Sequence, residues 1–416
     1  MVFLGEVYAQ DSSLLSMNGS SYTMKRLLVL GGGIYQAPMI KRARELGYWV
    51  AAASLSKNDP GMQYAHEAWE VNLVDHEAVL ALVEQNAIDA VTTTGTEFSI
   101  PTIGLISDRL GLPGISLETS KLSTNKILAQ QRFAEFEVPT ARFRRVASLA
   151  DALAAANEIG YPVFVKAPDS SGSRGISMVA DASLMEASFD EGMTVSRSGA
   201  VLVEKMLTGV EFGAQAIVID GEVEYCLCHN DTVTPPPVTV PVGHSLPFTL
   251  GDKIVQESKD VCARAAHALG IENAVCNVDL IATKDGVRLF EIGARIGATG
   301  IAEITNLHYG VNLYDVAISL AFGERPEIKL SEGVATAYCV LMAKQNGSLR
   351  ALSVPDDIRA DDRILDTTFD YSVGDTVRAF RTGPDRIGHV FVRAESMDAA
   401  EALCLDTASR LEITIT

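Results

Sequence analysis

AVCNVDLIATKDGVRLFEIGARIGATGIAE, residues 274–303, is the stretch on which the reading of this chain turns. β-Branched and apolar residues run up to a turn signal from both sides, so it reads as two strands, Val275 to Thr283 and Val287 to Ile292, joined by Lys284-Asp285-Gly286. With a three-residue loop and Gly286 in the left-handed position, Asp279 stands opposite Glu291 and both side chains leave one face. Two carboxylates opposed across a ladder repel. A divalent cation between them removes the conflict, and an all-oxygen donor set suits Mg²⁺ or Mn²⁺ held against phosphates. A two-residue Asp-Gly loop would instead put the two acids on opposite faces, and a solvated acidic hairpin is the plainer alternative.

Outward from this hairpin, the chain is an ordinary globular one: 416 residues, 47% apolar and 21% charged. That length accommodates two or three domains with their own cores. The net charge of −19, from 34 Lys and Arg against 53 Asp and Glu, repels polyanions and argues against a nucleic-acid partner. No apolar run approaches the ~20 residues of a membrane span. Cys226, Cys228, Cys262, Cys276, Cys339 and Cys404 have no metal-finger spacing and read as buried thiols of a cytoplasmic protein. Residues 1–23 lack the features of a signal peptide and read as a disordered or alternative-start extension.

From Met24 the pattern is strand, glycine turn, helix. Arg26 to Leu30, Trp49 to Ser54, Ala68 to Asn72 and Ala90 to Thr94 alternate with helical stretches Pro38 to Leu46, Asp75 to Gln85 and Ile100 to Leu110, which argues a parallel sheet covered on both faces. The turn Gly31-Gly32-Gly33 lacks the last glycine of a dinucleotide fingerprint, and no acid ends the second strand. It serves a backbone approach to substrate, or simply the bend. Glu118 to Phe136 reads as one helix carrying Lys121 and Lys126.

A second informative stretch follows, with Val163 to Lys166 and Ile176 to Val179 as strands around Ser170-Ser171-Gly172-Ser173-Arg174-Gly175. Small residues let such a loop fold over a triphosphate with its N–H groups inward, and Lys166 supplies a point charge to the same phosphates. Glu204 and Glu211, on strands Val201 to Met206 and Val210 to Ile219, fall where a nucleoside between two sheets is held, or are exposed strand acids. His229 to Leu250 is a proline-rich stretch expected to be a long lid or binding loop. His229, Asp231 and His244 within it are candidate substrate contacts, with bland surface histidines as the alternative. Lys253 to Leu269 is a helix. Beyond Pro326, strands and a helix from Met397 to Leu411 read as a small α+β cap, in which Arg381 and Arg386 are solvated surface residues or reach a substrate carboxylate.

Taken in order, Lys126, VFVKAP, SSGSRGI, VEKM, GVEF, NVDLI and FEIGAR resemble the motifs of the ATP-grasp superfamily over roughly residues 24–324. The look is closest to the dipeptide-forming L-amino acid ligases. The resemblance implies an α/β and α+β multidomain architecture: a Rossmann-like domain over 24–122, the ATP-grasp domain over 123–326 and a C-terminal cap over 327–416. The ATP-grasp domain divides into a central lobe, 123–200, and a metal and substrate lobe, 201–326.

The resemblance also implies site roles. Lys126 and Lys166 contact ATP phosphates, and the loop of Ser170, Ser171, Gly172, Ser173, Arg174 and Gly175 closes over them. The adenine lies against Glu204, Lys205 and Met206, and Glu211 binds the ribose. Asp279 and Glu291 are the Mg²⁺ (or Mn²⁺) ligands, and Arg295 stabilises the bound carboxylate or acyl phosphate, with Lys166 and Arg174 completing the catalytic set. Gly297 stands at the substrate. One departure is Gly293, where the family commonly has a metal-binding Asn. Asn277, opposite it in the expected register, or a water, is expected to take over.

The implied activity is ligation of a small carboxylic or amino acid to an amine, with ATP cleaved to ADP and phosphate. A carboxylation of the purine-synthesis type, or a non-catalytic ATP-binding regulator, are the other readings. A homodimer acting on small molecules is the expected assembly.

Overall fold

The computed structural model describes residues 24–169, 175–234 and 240–416. The expected extension at 1–23 and the phosphate loop expected at Ser170, Ser171, Gly172, Ser173 and Arg174 lie outside these residues.

The N-terminal strands form a parallel sheet in the order Glu67–Glu70, Trp49–Ser54, Arg26–Leu30, Ala90–Thr92. Leu27 through Leu30 are fully buried, as strands covered on both faces require. The single helix expected from Glu118 to Phe136 is in fact two, Leu117–Thr124 and Lys126–Glu135. Asn125 leaves helical geometry (φ −119°, ψ 106°), and its side chain caps the second helix by accepting from the Ile127 and Leu128 N–H groups. The break places Lys126 at the start of a helix.

The next lobe is an antiparallel sheet in the order Phe143–Val146, Val201–Lys205, Val163–Lys166, Ile176–Val179. Strand alternation sorts its residues. Val163 and Val165 are buried against helices Leu149–Ile159 and Met185–Val195, while Phe164 and Lys166 point the other way, into a cavity.

Facing that lobe is an eight-stranded antiparallel sheet. Its order is Gly286–Gly293, Ala274–Thr283, Val210–Ile219, Glu222–Val233, Pro241–Leu246, Ala335–Met342, Arg386–Ala394, Ile364–Phe369. Helix Asp252–Leu269 covers its outer face through Val261, Cys262, Ala265 and Leu269.

Two expectations need correcting here. The described residues of His229 to Leu250 are not one long loop: His229–Val233 continues a strand, and Pro241–Leu246 pairs back on it, with Asp231 opposite His244, while residues 235–239 of the expected lid lie outside the described residues. Pro241 opens the second strand and Pro247 follows it, so a proline-rich composition does not here mean a loop. The hairpin turn also differs from the expected one. Thr283 pairs with Gly286, so the loop is Lys284-Asp285. That register alone would set Asp279 against Phe290. A bulge between Asp279 and Leu280 on this strand's ladder, with Phe290 as the extra residue, restores Asp279 opposite Glu291 and Asn277 opposite Gly293.

The C-terminal segment adds strands to the same large sheet, together with a three-stranded sheet and helix Met397–Arg410. Arg386 is not a solvated residue. It is 4% exposed, held by both Asp370 oxygens at 2.6 and 3.0 Å, and it donates to the Tyr338 hydroxyl at 3.0 Å. Tyr338 in turn lies against Gly300 (φ +77°), where an added Cβ would sit 2.1 Å from the ring. Gly300→Ala is therefore expected to lower stability by about 1–3 kcal/mol. In thermal unfolding, adding Tyr338→Ala should make the second change cost less than it does in the wild type; simple additivity would refute the contact.

Candidate active site

The two sheets enclose a cavity of about 610 Å³. On its floor, one row of directly paired residues crosses four strands: His229, Gly213, Asp279, Glu291. Residues paired across a ladder share a face, so the bulge at Phe290 decides that both acids enter the cavity. Phe290 enters it as well, with the Lys166 ammonium 5.8 Å from its ring centroid.

The acids differ in their surroundings. Burial, and then the neighbouring Glu291 charge, push the Asp279 carboxyl up to about 7. Burial would push Glu291 up too, but Lys126, whose Nζ is 2.7 Å from Oε1, holds it below the usual carboxylate range. An acid that titrates near neutrality beside an ionised one is ready to ionise when a cation arrives. The donor set of two carboxylates, with no sulfur or nitrogen, fits Mg²⁺ or Mn²⁺.

Around these acids stand the cations the sequence singled out, each on a carboxylate. Lys166 Nζ is 2.6 Å from Glu204 Oε1, and Arg295 Nη2 is 2.7 Å from Glu97 Oε1. The Arg295 Nε is buried without a partner. Glu97 escaped the sequence reading. It sits in the loop after strand Ala90–Thr92, at the carboxyl end of a parallel strand where ligand contacts concentrate, and that position was the available signal. Gly95 N–H donates to the Ile296 carbonyl at 3.1 Å and ties this loop to the Arg295 segment.

The remaining expected residues are distributed as follows. Glu204, Lys205, Met206 and Glu211 line the cavity with Lys126, although the Lys205 ammonium turns away to the Gly160 and Tyr161 carbonyls. Burial, followed by the Asp231 charge, raises the Glu211 carboxyl. Gly175 (φ +66°) closes the base of the glycine-rich stretch, accepting from the Ala167 N–H at 2.8 Å. The Asn277 amide is used differently from the expectation. Its oxygen accepts from Gln215 Nε2 at 2.8 Å and its Nδ2 donates to Asp279 Oδ1 at 3.0 Å, so it orients the acid. Gly297 lies beneath the site, its N–H on Gln215 Oε1 at 3.0 Å, where a Cβ would strike Asn277 Oδ1. His229, Asp231 and His244 form one hydrogen-bonded cluster, and both rings are buried.

Comparison with known proteins agrees with this geometry. Residues 125–329 match the model of the carbamoyl-phosphate synthase L chain ATP-binding domain, and residues 340–416 match the L-amino acid ligase C-terminal domain 2. The L-arginine-specific L-amino acid ligase of Bacillus subtilis is 22% identical over 327 residues, covering 76% of this chain and 79% of that one. The L-amino acid ligase structure from Bacillus licheniformis superposes with a TM-score of 0.81 at 20% identity, covering 94% of this chain and 99% of that one. Phosphoribosylglycinamide synthetase from Anaerococcus prevotii gives 0.78 at 27% identity, over 95% of this chain and 100% of that one. Two opposed acids on a strand pair, three cations on facing elements and these likenesses point one way: the chain has the ATP-grasp fold and is similar to ATP-dependent ligases built on it.

Proposed function

We propose that this protein activates a small carboxylic or amino acid with ATP and joins it to an amine, releasing ADP and phosphate. The observation that carries the reading is the Asp279 and Glu291 pair in one cavity with Lys126, Lys166 and Arg295. Asp279 and Glu291 would hold Mg²⁺, which when bound neutralises phosphate charge and polarises the phosphoryl group.

The first step brings an anionic carboxylate to an anionic phosphate, so its rate depends on fixed positive groups. A carboxylate oxygen attacks the γ-phosphorus and the bond to the β-phosphate oxygen breaks, giving an acyl phosphate and ADP. Lys126 and Lys166 leave their resting carboxylate partners for the phosphates, and Arg295 holds the reacting carboxylate. The amine nitrogen then attacks the acyl carbon, the bond to the phosphate oxygen breaks, and the nitrogen loses a proton. Water must stay out between the steps, because an acyl phosphate hydrolyses. The burial of the cavity floor serves that end. Glu97 keeps Arg295 oriented until the acid enters, and Asn277 fixes the Asp279 carboxylate.

A second reading, ATP-dependent purine-type chemistry, draws on the similarity to phosphoribosylglycinamide synthetase. The test is phosphate release over amino acids, singly and in pairs, with bicarbonate and formate plus phosphorylated ribosyl amines as parallel arms. Release only with pairs is expected. Release confined to the ribosyl amines would overturn the ligase reading in favour of the second.

Asp279→Asn and Glu291→Gln should each lower kcat by about 10²–10³-fold and abolish the Mg²⁺-dependent rise in unfolding temperature given by ATP. Measured without metal, Asp279→Asn should melt above the wild type, since it removes the like charge facing Glu291. A lower melting point there would show that the two acids do not oppose each other.

A further inference from the structure

Asp231 lies in the cavity wall, two residues along its strand from His229 and paired across the ladder with His244. One carboxylate oxygen, Oδ1, takes the Nδ1 atoms of both rings, at 2.8 Å from His229 and 2.6 Å from His244. Burial acts to raise this carboxyl, but the two histidines outweigh it and hold Asp231 well below the usual carboxylate range.

An ionised carboxylate has no hydrogen to give, so both Nδ1 atoms carry the proton and donate. Nε2 of His244 lies 2.8 Å from the Thr299 hydroxyl, and Nε2 of His229 is buried without a partner. The three side chains have the spacing of a metal nest, with ligand atoms within 4.8 Å of one another. Their hydrogen bonding says otherwise, because the rings present N–H groups, not lone pairs, to the space between them. The cluster is built to fix one anion, Asp231 itself.

Of the other cavity acids, Glu204, Glu291 and Glu97 are matched with Lys166, Lys126 and Arg295, while burial pushes the unpaired Asp279 and Glu211 carboxyls up. Among the described residues Asp231 has no Lys or Arg within ion-pair distance, and its second oxygen accepts from no side chain. A negative charge 9% exposed, held by two imidazoles and facing a cavity with no Lys or Arg placed on it, can receive a cation the ligand brings. His244 also ties it, through Thr299, to the segment that follows Arg295.

We infer that Asp231, anchored by His229 and His244, binds the ammonium group of an amino acid whose carboxylate meets Arg295. This assignment rests on the ligase reading and narrows its acid substrate to amino acids over simple carboxylic acids. An ammonium held on Asp231 stays protonated, so the activated amino acid is kept from acting as the nucleophile. Rejection of analogues without the amino group follows, since they would leave a buried carboxylate without its partner.

The experiment uses hydroxylamine as the common nucleophile and measures hydroxamate formed from alanine, propionate and lactate, with phenylalanine and 3-phenylpropionate as a second series. In the wild type kcat/KM should favour the amino acid by about 100-fold or more. Asp231→Asn should compress that ratio to about tenfold or less by losing activity on the amino acid alone, and His244→Gln should act in the same direction. Equal use of both classes by the wild type, or an equal loss on both in Asp231→Asn, would overturn the assignment. Should Asp231→Asn fail to unfold cooperatively, the wild-type ratio decides alone. If no acid gives hydroxamate, the ligase reading fails separately. Calorimetry of alanine against propionate on wild-type protein with Mg²⁺ and a non-hydrolysable ATP analogue then decides: selective alanine binding keeps Asp231, and its absence removes it.

Discussion

Two carboxylates that face each other at the floor of a cavity are a standing electrostatic cost, and much of this molecule is arranged around it. The row His229, Gly213, Asp279, Glu291 holds the acids on adjacent strands. Gly213 is what makes the row possible, because a Cβ there would lie 2.3 Å from the His229 ring. Asn277 and Gln215 fix the orientation of Asp279 from one side, and Lys126 reaches Glu291 from a helix of its own.

The positive groups obey the same constraint. In a chain of net charge −19, Lys126, Lys166 and Arg295 each rest on a cavity acid before substrates enter. Phosphate and carboxylate groups then replace resting partners instead of meeting bare charge. Exchange of one charge-assisted bond for another limits the desolvation that binding requires, which suits a site that must take polyanionic nucleotides on an acidic protein. Asp231 is matched differently, by the Nδ1–H groups of two imidazoles and, among the described residues, by no Lys or Arg.

Much of the fold was legible because strand and helix periods in this chain are clean. Val163–Lys166, Ile176–Val179, Val210–Ile219 and helix Ile100–Leu110 appear where apolar patterning puts them. The opposition of Asp279 and Glu291 was also legible, but through a turn of the wrong length. Local sequence does not announce a bulge at Phe290, which is set by how the strand seats against its neighbour and the cavity. The break at Asn125 had a cap signal that the continuous helical periodicity around it concealed. Glu97 and the histidine cluster depended on tertiary pairing: nothing near residue 97 in sequence points to Arg295, and a proline-rich stretch conceals that His229 and His244 lie on paired strands.

The large sheet runs without interruption from the acid hairpin into the C-terminal segment, through four consecutive pairs from Gly243 with Cys339 to Leu246 with Thr336. Rotation of that segment as a separate body would break this ladder. Among the described residues the four-stranded sheet bearing Lys166 shares no such ladder; the segment leading into it bridges the large sheet at Thr140 and Leu289. Rotation of the Lys166 lobe would therefore break fewer ladder bonds than rotation of the C-terminal segment, and it would leave both acids on their paired strands.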